Sequence, residues 1–188
     1  MTQISDNLQI IGAKLKNYSL QYNRSENAVK LLAVSKRHDS EKIREAYACG
    51  QRAFGENYVQ ELWDKYQQLS DLEIEWHYIG PLQSNKTRKE ASKSGISENQ
   101  ITDLAKEIIK LPNLKLRGLM VIPAPEDNFE KQLEVFSKVS AIKDRLNLEQ
   151  GIELDTLSMG MSNDIEAAIA GGSTLVRVGT AIFGKRED

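Results

Sequence analysis

The chain has 188 residues, 40% of them hydrophobic, which is enough to bury a core and is most simply one domain. Charged residues make up 28% with both signs interspersed and a formal net charge of -2, so no basic field exists to hold a nucleic-acid backbone. A single cysteine, Cys49, excludes an internal disulfide, two histidines are too few for a Cys/His zinc cluster, and neither an export signal nor a membrane-length apolar run is present.

In what is therefore expected to be a cytoplasmic protein without metal, membrane or nucleic-acid partner, Ile4, Leu8, Ile11 and Leu15 recur at helical spacing. They predict an amphipathic helix over 4–20, with Ser5 or Asp6 as its cap. A strand over 30–36 and a helix over 40–50 follow, then a strand over 52–57, a helix over 59–69 and a strand over 75–80. The stretch 83–93 holds no apolar run. Alternation resumes with a helix over 98–111, whose Ile101, Leu104 and Ile108 are expected to turn inward, and a strand over 116–122. A long helix over 129–146, a strand over 156–161, a helix over 164–170 and a last strand over 175–184 complete the order. Strands alternating with helices predict an α/β fold with a parallel sheet. A closed (β/α)8 TIM-type barrel needs eight strands and usually about 250 residues, so two strands are apparently missing from the chain as given.

Lys36 stands where the first strand runs out, the end that faces the usual active site of such barrels. Partial burial there would lower its pKa and make the amine nucleophilic toward an aldehyde, as a Schiff base requires. Alone, Lys36 reads as a solvated lysine at a strand end. The turns Ser158-Met159-Gly160-Met161-Ser162-Asn163-Asp164 and Arg177-Val178-Gly179-Thr180 supply small and hydroxylated residues ahead of helices, where phosphate is favoured. Either turn by itself is ordinary turn chemistry. Together with Lys36 they point to a phosphorylated aldehyde.

Several segments closely resemble the pyridoxal phosphate homeostasis proteins, single-domain relatives of the alanine racemase N-terminal barrel. They are 32–36, Phe54-Gly55-Glu56-Asn57-Tyr58-Val59-Gln60-Glu61, Trp76-His77-Tyr78-Ile79-Gly80-Pro81-Leu82-Gln83-Ser84-Asn85-Lys86, 92–95, 117–120, 158–162 and 177–184. The match runs in order through nearly the whole chain. It implies pyridoxal 5'-phosphate held as a Schiff base on Lys36, Asn57 near the pyridine ring, Arg177 facing the ring nitrogen, and Ser162, Gly179 and Thr180 around the phosphate. Lys93 matches a second lysine of the family, with a role in cofactor transfer or a secondary site; a solvated loop lysine is the alternative. The family also has two strands and a helix between the segments matching 85–88 and 90–95. Their absence here predicts a dropped segment and a chain break near Arg88-Lys89, checkable from the 3.8 Å spacing of consecutive α-carbons across a trans peptide.

The resemblance and the residues both favour intracellular vitamin B6 homeostasis over turnover, with no catalytic residue assigned. Many pyridoxal phosphate enzymes pair the ring nitrogen with a carboxylate, and a guanidinium cannot take that role. The rival is a small racemase or lyase in which Tyr78, His77 or a partner subunit supplies a second proton. A regulator acting through a protein partner is a third reading. His77 and Trp63 are expected to be packing residues, Cys49 has no basic neighbour to activate it, and the lack of an evident apolar patch predicts a monomer. Apo-enzymes that need the cofactor are the expected macromolecular partners.

Overall fold

The structure is a computed structural model that describes residues 2–81 and 95–185. Helix α1 (Gln3–Gln21) is capped by Thr2, whose hydroxyl accepts from Ser5 N–H at 3.3 Å, so the cap lies earlier than Ser5 or Asp6. Its buried stripe of Ile4, Ile11 and Leu15 packs on the body of the fold. Strand β1 (Lys30–Val34) is followed by α2 (Ser40–Ala48), capped by Asp39 on Lys42 N–H at 2.9 Å. Then come β2 (Ala53–Glu56), α3 (Val59–Gln68) and β3 (Glu75–Tyr78). The second half runs α4 (Glu98–Ile109), β4 (Gly118–Met120), α5 (Phe129–Gln150), β5 (Thr156–Ser158), α6 (Ile165–Ala170), β6 (Leu175–Val178) and α7 (Thr180–Phe183). Gly151, left-handed at φ 61, closes α5.

Among the described residues there are six strands, all parallel, in the order β3-β2-β1-β6-β5-β4. Each strand therefore lies beside a sequence neighbour in one rotational sense, β6 returns to β1, and among the described residues the ring is open between β3 and β4. The central strands read as continuous apolar runs because both of their faces are covered. The main core lies between α1, α2, α6, α7 and the outer faces of β1, β2 and β6, built on Ala33, Ile43, Phe54, Val176, Val178 and Ile182. A second cluster of Phe136, Leu157, Met159, Ala167 and Ala168 joins α5 and α6 to β5, and a third ties α4 to α5.

Several expectations change. Residues 180–183 form a helical turn rather than strand, because Ile182 and Phe183 N–H groups bond to Gly179 O and their side chains bury in the main core. A short apolar run cannot be assigned by periodicity alone. On α4 the buried residue is Ala105, while Leu104 is 44% exposed. His77 is no core residue: its ring contacts the exposed Glu75 carboxylate at 3.0 Å. Trp63 is half exposed and stacks on Tyr66 at 5.6 Å between centroids. With Tyr58 and Val59 it makes an apolar stripe on α3, contrary to the patch-free surface on which the monomer expectation rested. The predicted break near Arg88-Lys89 and the second lysine, Lys93, lie outside the described residues. No helix among the described residues is long and apolar enough to cross a membrane.

Candidate functional site

Side chains alternate across a strand, so each strand sends one row to the helices and the other to the interior of the ring. Ala33, Phe54, Val176 and Val178 are in the helix-side core, which leaves Leu32, Gly55 and Arg177 facing inward. A Cβ on Gly55 would meet Leu32 and Ile79 side chains at 3.3 and 3.2 Å, the contact expected of three residues on one face. Lys36, two residues beyond the end of β1, and Asn57, the residue after β2, follow the carboxyl ends of these two neighbouring strands. Lys36 is half-buried in a turn closed by His38 N–H on Ser35 O at 3.0 Å.

Arg177 is 4% exposed, level with Leu32 on the neighbouring strand. Its Nη1 donates to Ser158 O at 2.6 Å and Ser158 Oγ at 2.7 Å, and Nη2 to Val121 O at 2.9 Å. Burial pulls the guanidinium pKa below its ordinary value, with Asp164 opposing the shift weakly; arginine remains charged across the useful pH range. Among the described residues no carboxylate pairs with it within ion-pair distance. The site thus offers a rigid, buried cation beside β1.

The two turns converge on the same end. Gly160 takes φ +98, which lets the chain leave β5 sharply, and Asp164 Oδ1 accepts Met161 N–H at 2.5 Å. Helix α6 behind this turn has only six residues, and a carboxylate stands at its start. Its dipole therefore offers less to an anion than the sequence suggests. Ser162 and Thr180 are exposed, Gly179 is partly buried, and a Cβ on Gly179 would sit 3.0 Å from Val34 O. That close approach brings the β6 turn against β1. The side chains of Asn57, Ser162 and Thr180 make no hydrogen bond to any described residue, so they are available to a ligand.

A group not singled out from sequence lies on the helix side, behind Lys36. Lys65 Nζ donates to Ser35 O, Glu56 Oε1 and Glu61 Oε1 at 2.9, 2.8 and 2.7 Å. Ser35 Oγ donates to Glu56 Oε1 at 2.6 Å, and Arg37 N–H to Glu61 Oε1 at 2.5 Å. Burial pushes the Glu56 carboxyl up, more than its bonds from Lys65 and Ser35 pull it down. Burial also raises Glu61, but Lys65 and the Arg37 N–H outweigh it and leave the carboxyl below its ordinary range. The available signal was Glu56 inside an apolar strand, with Glu61 and Lys65 at i, i+4 on the next helix.

The family model for the alanine racemase N-terminal domain matches residues 86–187. The pyridoxal phosphate homeostasis protein of Vibrio alginolyticus is 42% identical, covering 100% of this chain and 99% of its own length. Its alignment spans 232 positions against 188 residues here, so the relative carries residues with no counterpart in this chain. The structure of PipY from Synechococcus elongatus with pyridoxal phosphate bound superposes with a TM-score of 0.81 at 30% identity, covering 96% of this chain and 100% of that one. Alanine racemase from Corynebacterium glutamicum, at 17% identity, shares the fold with a TM-score of 0.63, covering 98% of this chain and 60% of its own.

Proposed function

This chain belongs to the pyridoxal phosphate homeostasis proteins, and on that premise we propose that it binds pyridoxal 5'-phosphate through a Schiff base on Lys36 and serves vitamin B6 homeostasis rather than turnover. The observation that carries the reading is the buried Arg177, without a carboxylate in ion-pair distance among the described residues, on the strand next to the one whose carboxyl end Lys36 follows. The cofactor would supply an aldehyde for the lysine and an electron-withdrawing pyridine ring. Ser158 and the Val121 carbonyl fix the guanidinium on the side proposed for the ring nitrogen, Asn57 offers an amide, and Ser162, Gly179 and Thr180 offer donors for a phosphate. On this reading the inner face belongs to a (β/α)8-type barrel, of which six strands lie among the described residues.

Restraint from turnover follows from two features. A guanidinium in place of a carboxylate leaves the ring nitrogen unprotonated and narrows the chemistry toward proton transfer. For that, a second acid/base group is needed, and the candidates here are poorly set. Tyr78 faces the helix side by alternation with His77, and its hydroxyl donates to Pro81 O at 3.1 Å. His77 stands opposite Gly55, short of the strand end, and contacts Glu75.

The test is a spectrum of purified protein with pyridoxal phosphate, before and after borohydride, on wild type and Lys36→Ala. A visible band that reduction fixes covalently to Lys36 in the wild type alone is the expected result. No band, or a band unchanged in Lys36→Ala, overturns the assignment.

A further inference from the structure

We propose that Lys65, gripped by Glu56 and Glu61, is a positioning residue that sets the turn presenting Lys36 and so governs uptake of pyridoxal phosphate. This rests on the reading of Lys36 as the cofactor lysine and extends it to groups on the opposite side of the sheet. Lys65 is 6% exposed, and the three N–H donors of its ammonium are all spent, on Ser35 O, Glu56 Oε1 and Glu61 Oε1. Two of those bonds lead to the peptides on either side of Lys36. Ser35, the residue before it, is held through both its carbonyl and its hydroxyl. Arg37, the residue after it, is held through its N–H by the carboxylate that Lys65 holds.

The turn needs such a hold. Arg37 sits at φ 61, a left-handed conformation that a non-glycine residue keeps only when its surroundings enforce it. Ser35 turns its hydroxyl to the cluster, and with the peptides on both sides of Lys36 held, the backbone from which the Lys36 side chain leaves is fixed. Glu56 is also the residue before Asn57, and the cluster therefore anchors both strand ends from which the inner-face groups project. Stability alone is a weak account of it. A buried ion cluster is commonly replaceable by apolar side chains without loss, and here Glu56 Oε2 is buried with no partner. What apolar side chains could not do is bond the carbonyl and the N–H that flank Lys36.

The experiment uses the full chain as wild type, Lys65→Met and Glu61→Gln. For each, the affinity for pyridoxal phosphate, the lysine that borohydride traps by peptide mapping, and the Tm without cofactor are measured. Glu61→Gln leaves the Lys65 bonds to Ser35 and Glu56 in place and decides the matter if Lys65→Met does not fold. The expected result is an affinity loss of about tenfold or more, since small misplacements of a reacting group are costly, with less label on Lys36; Lys65→Met also lowers the Tm because it leaves buried carboxylates unpaired, whereas Glu61→Gln shows the affinity loss without a matching fall in Tm. Folded variants that bind as tightly as wild type and label Lys36 as fully would overturn the proposal while leaving Lys36 assigned. A wild type that traps nothing on Lys36 overturns the cofactor assignment itself, and this inference with it.

Discussion

Gly160→Ala tests the geometry of the turn between β5 and Ser162 most directly. Its φ of +98 lies where an L side chain is disfavoured, and a Cβ there would stand 2.7 Å from Ala168 Cβ and 3.4 Å from Val176 Cγ1. The left-handed backbone costs about 1–2 kcal/mol for alanine. Forcing a methyl into a packed position adds about 1–3 kcal/mol. Together these give a destabilisation of about 2–5 kcal/mol, and at about 2–4 °C per kcal/mol for a domain of this size the Tm falls by about 4–20 °C. Ala168→Gly removes the methyl that Gly160→Ala would strike. A double-mutant cycle measured by urea unfolding is therefore expected to return the packing share, about 1–3 kcal/mol, as a coupling energy and leave the backbone share untouched. A Tm within about 2 °C of wild type, or a cycle without coupling, refutes the reasoning.

Two further outcomes concern the scaffold. Phe136, wholly buried between α5, α6 and β5, should cost about 3–5 kcal/mol as Phe136→Ala, read from the urea midpoint; a loss under about 1 kcal/mol would mean the second core cluster is not packed as described. Asp155 accepts Arg117 Nε at 2.8 and 3.0 Å and Thr156 Oγ1 at 2.7 Å, and these bonds, Arg117 first, lower its pKa from 3.8 to about 2. A depressed carboxyl stabilises the fold above its unfolded value and loses that contribution as pH falls through the folded one. Wild type should therefore lose stability relative to Asp155→Asn between pH 3.8 and about 2. With both side chains half exposed, solvent screening keeps the difference to about 1 kcal/mol or less, and identical acid limbs would refute it.

The long helices were legible in sequence because Ile4, Ile11 and Leu15 on α1, and Phe136, Ile142 and Leu146 on α5, carry the 3.6-residue period through several turns. Strand ends were less so: the sequence predicts a first strand reaching Lys36, whereas β1 ends at Val34, where Ser35 still donates its N–H to Gly55 O of β2 but turns its carbonyl to His38 N–H and Lys65. Lys36 and Arg177 could be chosen from the strand-end logic and the family resemblance. That Lys36 follows the strand next to that of Arg177 required the β1–β6 pairing, which no local pattern encodes. Lys65 was invisible for the same reason. On its own helix it is an ordinary i, i+4 partner of Glu61, and its bonds to Glu56 on β2 and to Ser35 just after β1 come from elsewhere in the chain.

The β1–β6 ladder pairs Lys30 through Ala33 with Leu175 through Val178, joining stretches far apart along the polypeptide. Such a union is late in the history of a folding chain, because the entropy of closing so large a loop is spent before the pairing returns anything. Lys36 would exist on a nascent chain long before Arg177 and the Ser162 turn arrived beside it. Capture of a ligand that needs both would then be a final act of maturation, and a ligand bridging them would fasten the earliest and latest parts of the sheet against local opening.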